Sequence, residues 1–244
     1  MLLNNKTMKK LLIILMLAIG GLVSAQLTSD SIYVHNSDST ISITSLGLDS
    51  IVCNVKASGG VSYSDDFESY TEGTLGGQGD WLATLYTMTV IDVSGDNRVY
   101  ASKVGDFSAC IYDETFDNDQ YAKCTFDQAG AGFIGPAVRL SGTGTSDFDG
   151  YSYYSSSTIT RLVRYDNGSK TNLGNAGGGV SVGDILELRI SGTTLSCYKN
   201  GSLDTSVGTN GEYTDATYES GQAGLNGYDS STVTTIDTWE GGDL

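Results

Sequence analysis

The chain has 244 residues, with 29 acidic against 13 basic side chains and a formal net charge of −16. A surface that acidic repels phosphate backbones, which speaks against nucleic acid as a partner. Thirty-two glycines, fifteen tyrosines and one proline point to many short strands joined by glycine turns. The single histidine, His35, speaks against a zinc site and against histidine-based hydrolysis.

The first element is a leader. Lys9 and Lys10 precede an apolar run, Leu11 to Val23, and a small-x-small exit, Val23-Ser24-Ala25. This pattern reads as a secretory signal peptide cleaved after Ala25, and it reads well from Met8 too. The apolar run is shorter than the roughly 18 residues that span a bilayer. No later segment is apolar enough to cross, and Gln26 stands where a lipoprotein would need cysteine. The expected location is therefore secreted, extracellular or at the cell surface, and not membrane-spanning. Cleavage removes three lysines and no acid, taking the net charge to −19. So acidic a chain favours a hard cation such as calcium.

Residues 26–60, rich in Ser, Asp and Thr, read as an extension or linker. They hold two alternating runs, Ile41 to Leu46 and Ile51 to Val55, and end on Ser58-Gly59-Gly60. Residues 61–244 read as one domain. Strand signals recur there at Thr87–Val93, Arg98–Lys103, Phe107–Tyr112, Gln120–Phe126, Phe133–Leu140, Tyr151–Tyr154, Thr158–Tyr165 and Asp184–Ile190. In the last run Leu186, Leu188 and Ile190 can face a core while Ile185, Glu187 and Arg189 point outward. Asn167-Gly168 and Asn200-Gly201 each follow a strand-like run and carry the chemistry of type I′ hairpin turns. Both asparagines also begin Asn-Gly-Ser sequences, acceptors for glycosylation where the host provides it. No helical pattern separates the strands, so the sheets should be antiparallel. The fold class expected is an all-β antiparallel sandwich.

Gly183 to Gly192, Leu195 to Gly201 and Tyr218 to Leu225 together resemble the end of the concanavalin A-like, laminin-G-like jelly rolls. Asp65-Asp66-Phe67 and Thr235 to Glu240 are similar to the usual first and last strands. The resemblance covers residues 61–244 and implies a jelly roll. Its motifs are weakly specific for function, because the superfamily holds lectins, glycoside hydrolases, lyases and adhesion modules. It further implies a possible calcium ion, carried over to Asp66 near the first strand, the Gly105 carbonyl and the Asp237 carboxylate. Phe67 and Trp81 then read as core rings, with Trp81 equally readable as a ring that stacks on ligand.

A retaining glycosidase needs two carboxylates about 5 Å apart on one strand face. The nearest approach, Asp66-Phe67-Glu68 with Glu72, runs into a glycine-rich loop, so no catalytic residue is assigned. A hydrolase or polysaccharide lyase would need a site that no motif marks. A binding module needs less: rings for the apolar faces of sugars and polar groups for their hydroxyls. Arg139, Asp149, Tyr151 and Tyr153 supply these, with Trp81, and Tyr154 points to the opposite strand face. The reading is a non-catalytic, lectin-like module for a glycan or surface polysaccharide, with a protein-recognising adhesive module as the alternative. Cys110 and Cys124 lie equally far from Asp117, so a hairpin centred there would set them opposite each other as a disulfide.

Overall fold

The computed structural model describes residues 60–86, 88–103, 105–229 and 232–244 in full and, before them, the backbone of four short strands. These are β1 (Ser24–Thr28) paired with β2 (Ser31–His35), and β3 (Ile41–Ile43) paired with β4 (Ile51–Cys53). The leader up to Val23 and the side chains of His35 and Cys53 lie outside the described residues. Chain packing separates Met1–Gly60 from Val61–Leu244.

The second unit contains β5 (Ser62–Asp65), β6 (Gly73–Thr74), β7 (Trp81–Leu85), β8 (Met88–Asp92), β9 (Asn97–Ala101), β10 (Phe107–Tyr112), β11 (Gln120–Gln128), β12 (Phe133–Ser141) and β13 (Asp149–Ser155). It continues with β14 (Ile159–Asp166), β15 (Ser169–Asn172), β16 (Gly177–Gly178), β17 (Ile185–Ser191), β18 (Thr194–Lys199), β19 (Ser202–Leu203), β20 (Glu212–Thr214), β21 (Gln222–Tyr228) and β22 (Thr235–Asp243). Eight strands form one sheet in the order β15-β14-β13-β12-β21-β10-β7, with β16 on β14. Ten form the other, in the order β19-β18-β17-β11-β22-β9-β8-β6, with β20 on β18 and β5 on β22. The pairings are antiparallel, as in β11–β22 and β12–β21, and no α-helix occurs among the described residues.

Local sequence explains why these strands form. Along β11, Ala122, Cys124 and Phe126 are buried while Tyr121, Lys123 and Thr125 are half-exposed, the period-2 pattern of a sheet with one face inward. Along β17, Leu186, Leu188 and Ile190 are buried and Ile185 is exposed. Both Asn-Gly turns adopt the conformation their chemistry favours. Asn167 and Gly168 have φ of 47° and 77°, and Asn200 and Gly201 have 53° and 76°. Two successive positive φ angles define the type I′ hairpin turn that matches strand twist.

The core between the sheets gathers Phe67, Trp81, Tyr112, Phe126, Tyr151, Tyr153 and Trp239 among its rings. Cys110, Cys124 and Cys197 are also there, buried and free. The expected Cys110–Cys124 disulfide is therefore corrected. Cys110 lies in β10 of the eight-stranded sheet and Cys124 in β11 of the ten-stranded one. The segment between them crosses from one sheet to the other instead of turning back as a hairpin. Packed sheets stand about 10 Å apart, beyond the roughly 7 Å over which Cα atoms can be bridged. Burial pushes the Cys110 thiol up to about 12, the wrong direction for reactivity. Alkylation read by mass spectrometry should therefore label all three positions only after the protein is unfolded. Labelling of native protein at any of them would contradict this packing.

The eight-stranded sheet carries a second apolar cluster on its outer face, built on Tyr154, Val163, Tyr165, Phe148 and Ala109, with Phe107 and Phe133 packed against it. Phe107 on β10 and Tyr165 on β14 are four strand steps apart, roughly 19 Å on a flat sheet. Their ring centroids nevertheless lie 5.1 Å apart. The Tyr165 hydroxyl also reaches Asn226 Oδ1 on β21 at 2.9 Å. The sheet must curl toward this face, which is concave.

Candidate functional site

The middle of the concave face is filled by the protein's own rings. Tyr165 and Phe148 are fully buried there, 5.0 Å apart between centroids. Toward the β7 edge the face opens into a cavity of about 510 Å³ lined by Ala83, Thr84, Tyr86, Ser102, Lys103 and Thr143. Strand β7 supplies its floor, the β9–β10 turn supplies Ser102 and Lys103, and the β12–β13 loop brings Thr143 across.

Tyr86 is the distinctive residue. It follows β7 with φ at 45°, in the left-handed region that non-glycine residues rarely occupy. Backbone of this kind persists where surrounding structure holds it, and it collects at functional sites. The residue is 42% exposed, with Lys103 Nζ 4.6 Å from its ring centroid. A hydrogen bond to Asp106 pushes the Tyr86 hydroxyl above its ordinary pKa, so the phenol stays protonated. An exposed ring beside the hydroxyl residues Ser102 and Thr143 and an ammonium group together form a surface that can stack on an apolar face and bond to polar substituents.

The residues singled out from sequence lie elsewhere, and burial corrects their expected role as an exposed stacking surface. Trp81, Tyr151 and Tyr153 have no exposure and Arg139 has 2%. All four are internal struts. Trp81 Nε1 donates to Asp65 at 2.8 Å, and the Tyr153 hydroxyl donates to Asp204 at 2.6 Å. Arg139 holds two loops through the carbonyls of Asn118 and Tyr218. Tyr151 donates to Asp215 and accepts the Tyr218 amide, while Asp149 accepts the Tyr218 hydroxyl and the Asn167 amide. Arg139, Asp149 and Tyr151 are thus brought together around Tyr218, but as the fastening of the 215–221 segment. Strand alternation correctly placed Tyr151 and Tyr153 on one side and Tyr154 on the other, but not which side is the core. No sequence pattern marked Tyr86; its signal is the backbone angle.

A second cavity, about 460 Å³, opens beside β5 and is lined in part by Asp65, Tyr70, Lys123 and Glu240. Its carboxylates are engaged. Asp65 takes the Trp81 indole, the Tyr70 hydroxyl and the Phe67 amide. Burial alone would raise the Glu240 carboxyl, but bonds from Tyr121 and Lys123 hold it below its ordinary range. An ionised, bonded carboxylate is not a general acid.

The calcium expectation meets a different cation. Arg98, 7% exposed on β9, points into the carboxylates of Asp96, Asp127 and Asp237. Its Nη1 lies 2.8 Å from Asp237 and its Nε 2.9 Å from Asp127, the latter off the N–H line and so a charge contact only. Asp66 is close enough for its charge to bear on Asp237. Gly105 sits in the exposed turn after Lys103, with no described contact to this cluster. No group of three or more metal-ligating side chains occurs among the described residues. The residues present do not fit calcium, because the Arg98 guanidinium already meets the Asp237 carboxylate and the Gly105 carbonyl is not brought to it.

No protein-family model matches the chain, and no curated protein matches it in sequence. Solved structures do match in shape. A Bacillus subtilis protein of unknown function with a galectin-like fold aligns at a TM-score of 0.51 and 10% identity, over 73% of this chain and 94% of that one. Carbohydrate binding module CBM66 from Bacillus subtilis aligns at 0.50 and 15% identity, over 67% and 94%. The chain therefore shares the jelly-roll sandwich fold of these structures, the fold that its terminal motifs led one to expect.

Proposed function

We propose that the protein is an exported carbohydrate-binding module without catalytic activity, and that sugar binds in the cavity against Tyr86. The observation that carries this is an exposed ring, held at an unusual backbone angle, inside a cavity lined by hydroxyls and an ammonium group. A pyranose can lay its C–H face on the Tyr86 ring while Ser102, Lys103 and Thr143 meet its hydroxyls. The cavity falls within the roughly 300–1,000 Å³ of ordinary ligand pockets. Shape likeness to a carbohydrate-binding module agrees with this reading. Calcium has no part in it, since Arg98 already serves the acidic cluster.

The test is a glycan array followed by titration of the best ligand. Tyr86→Ala should weaken binding about 30-fold, the order of a 2 kcal/mol contact residue. The melting temperature should barely change, because the ring is half outside the fold. Tyr86→Phe should retain most of the affinity. Unchanged binding by Tyr86→Ala would remove the site.

A further inference from the structure

Positive side chains are scarce in this domain, and where they stand is not arbitrary. Arg98, Lys123, Arg139, Arg164, Arg189 and Lys199 each sit within ion-pair distance of a carboxylate. Lys103, Arg161 and Lys170 have no carboxylate partner among the described residues, and all three belong to the concave face. Strand register establishes this for two of them. Arg161 lies directly opposite Tyr154, and Lys170 directly opposite Tyr165, both residues of the outer-face cluster. Lys103 lines the Tyr86 cavity. The cations also sit over rings: Lys103 over Tyr86 at 4.6 Å and Lys170 over Phe107 at 5.2 Å. Partial desolvation by its neighbours and the charge of nearby Arg161 both hold the Lys170 ammonium below its ordinary pKa, although the residue as a whole is exposed.

Like charges near one another repel mildly even where solvent reaches them, and an anion between them relieves that repulsion. The acids that meet this face have partners of their own: Asp106 accepts the Phe107 amide and the Tyr86 hydroxyl, Asp147 accepts the Thr143 amide, and Asp229 is 8% exposed and partnered. The net charge of −16 opposes any polyanion at long range, as it opposes nucleic acid, but exposed charges are screened over about 8 Å at physiological salt, so at contact the local cations and the fit of the sugar decide.

We propose that the ligand of this face is an anionic polysaccharide, one bearing uronate carboxylates or sulfate groups, read jointly by Lys103, Arg161 and Lys170. This rests on the carbohydrate-binding reading and specifies its substrate class. Rings take the sugar faces, while the three cations meet charges repeated along the polymer.

The experiment is binding of the full chain to immobilised neutral, uronate-bearing and sulfated oligosaccharides, with single-stranded DNA as a further arm. Acidic glycans should give the strongest signals. The triple variant Lys103→Gln, Arg161→Gln, Lys170→Gln should lose roughly tenfold on them, at about twofold per exposed cation. In the double variant Arg161→Gln, Lys170→Gln, which leaves Lys103 in the Tyr86 cavity, any weaker neutral-glycan binding should persist; the melting temperature of either variant should not fall, and Tyr86→Ala should weaken the acidic glycans as well. The uronate and sulfate arms separate the two sources of charge. Binding to neutral glycans alone would overturn this inference and leave the module reading standing. Binding to no glycan would overturn both. Equal retention of DNA, unaffected by Tyr86→Ala, would show charge without sugar recognition and would also overturn the inference.

Discussion

Trp81→Ala is expected to lower the melting temperature by about 10–15 °C, read by circular dichroism, because it opens the centre of the sandwich. The indole has no exposure and stands 4.9 Å from Trp239, 5.3 Å from Tyr112 and 6.0 Å from Phe67, centroid to centroid. These rings tie β7 of one sheet to β22 of the other. Removing a buried tryptophan costs about 3–5 kcal/mol, and at this chain length each kcal/mol moves the midpoint by about 2–4 °C. The loss has a second part. Asp65 accepts from the indole N–H, from Tyr70 and from its own loop, and without the indole one donor to a half-buried carboxylate is gone. Trp81→Phe separates the two parts: most of the volume remains and only the donor is lost, so the drop should be less than half as large. If Trp81→Ala melted like the wild type while losing ligand, the ring would be part of a binding surface and this account of its burial would be wrong.

That test bears on the acidic, glycine-rich stretch from Asp65 to Trp81, whose role local sequence left open. Its two ends close on each other through the Trp81–Asp65 bond, and Gln78 ties the loop between them to Thr71 and Thr74. What could be read from sequence was whatever depends on neighbours in the chain. The β11 and β17 alternations were legible because a sheet with one buried face imposes period 2, and the Asn-Gly turns because few residues tolerate positive φ. Strand order was not legible. The Cys110–Cys124 pairing failed because nothing between them announces that the chain changes sheets. Tyr151 and Tyr153 were placed on the wrong side because alternation fixes relative facing, not which face is covered. Lys103, Arg161 and Lys170 are scattered along the sequence, and only the order β15-β14-β13-β12-β21-β10 and its curl bring them to one face.

Arg98→Ala should be the most damaging single change at the domain's surface layer, costing about 3 kcal/mol. The side chain is 9% exposed, while Asp96, Asp127 and Asp237 are between 33% and 47% exposed. Breaking a buried ion pair costs about 3–5 kcal/mol, and water around the carboxylates puts this cluster at the low end. The cost arises from the acids left behind. Burial already raises the Asp237 carboxyl above its ordinary pKa, and the charges of Asp96, Asp127 and Asp66 raise it further, against the pull of Arg98. A carboxyl whose folded pKa lies above the unfolded value of ~3.9 destabilises the fold at neutral pH, and that penalty is relieved as pH falls through the folded value. Without Arg98 that folded value moves higher still. The stability gap between wild type and Arg98→Ala, measured by urea unfolding, should therefore narrow as pH is lowered from 7 toward the folded pKa of Asp237. Arg98→Lys should recover part of the loss, keeping the charge but not the planar fork that reaches three carboxylates at once. Because the guanidinium is a cation that cannot dissociate from the chain, millimolar calcium should leave wild-type melting unchanged, and so should EDTA. A wild-type melting temperature that rises with calcium and falls with EDTA would mean that Arg98 does not meet the charge demand of Asp237, and that an ion does.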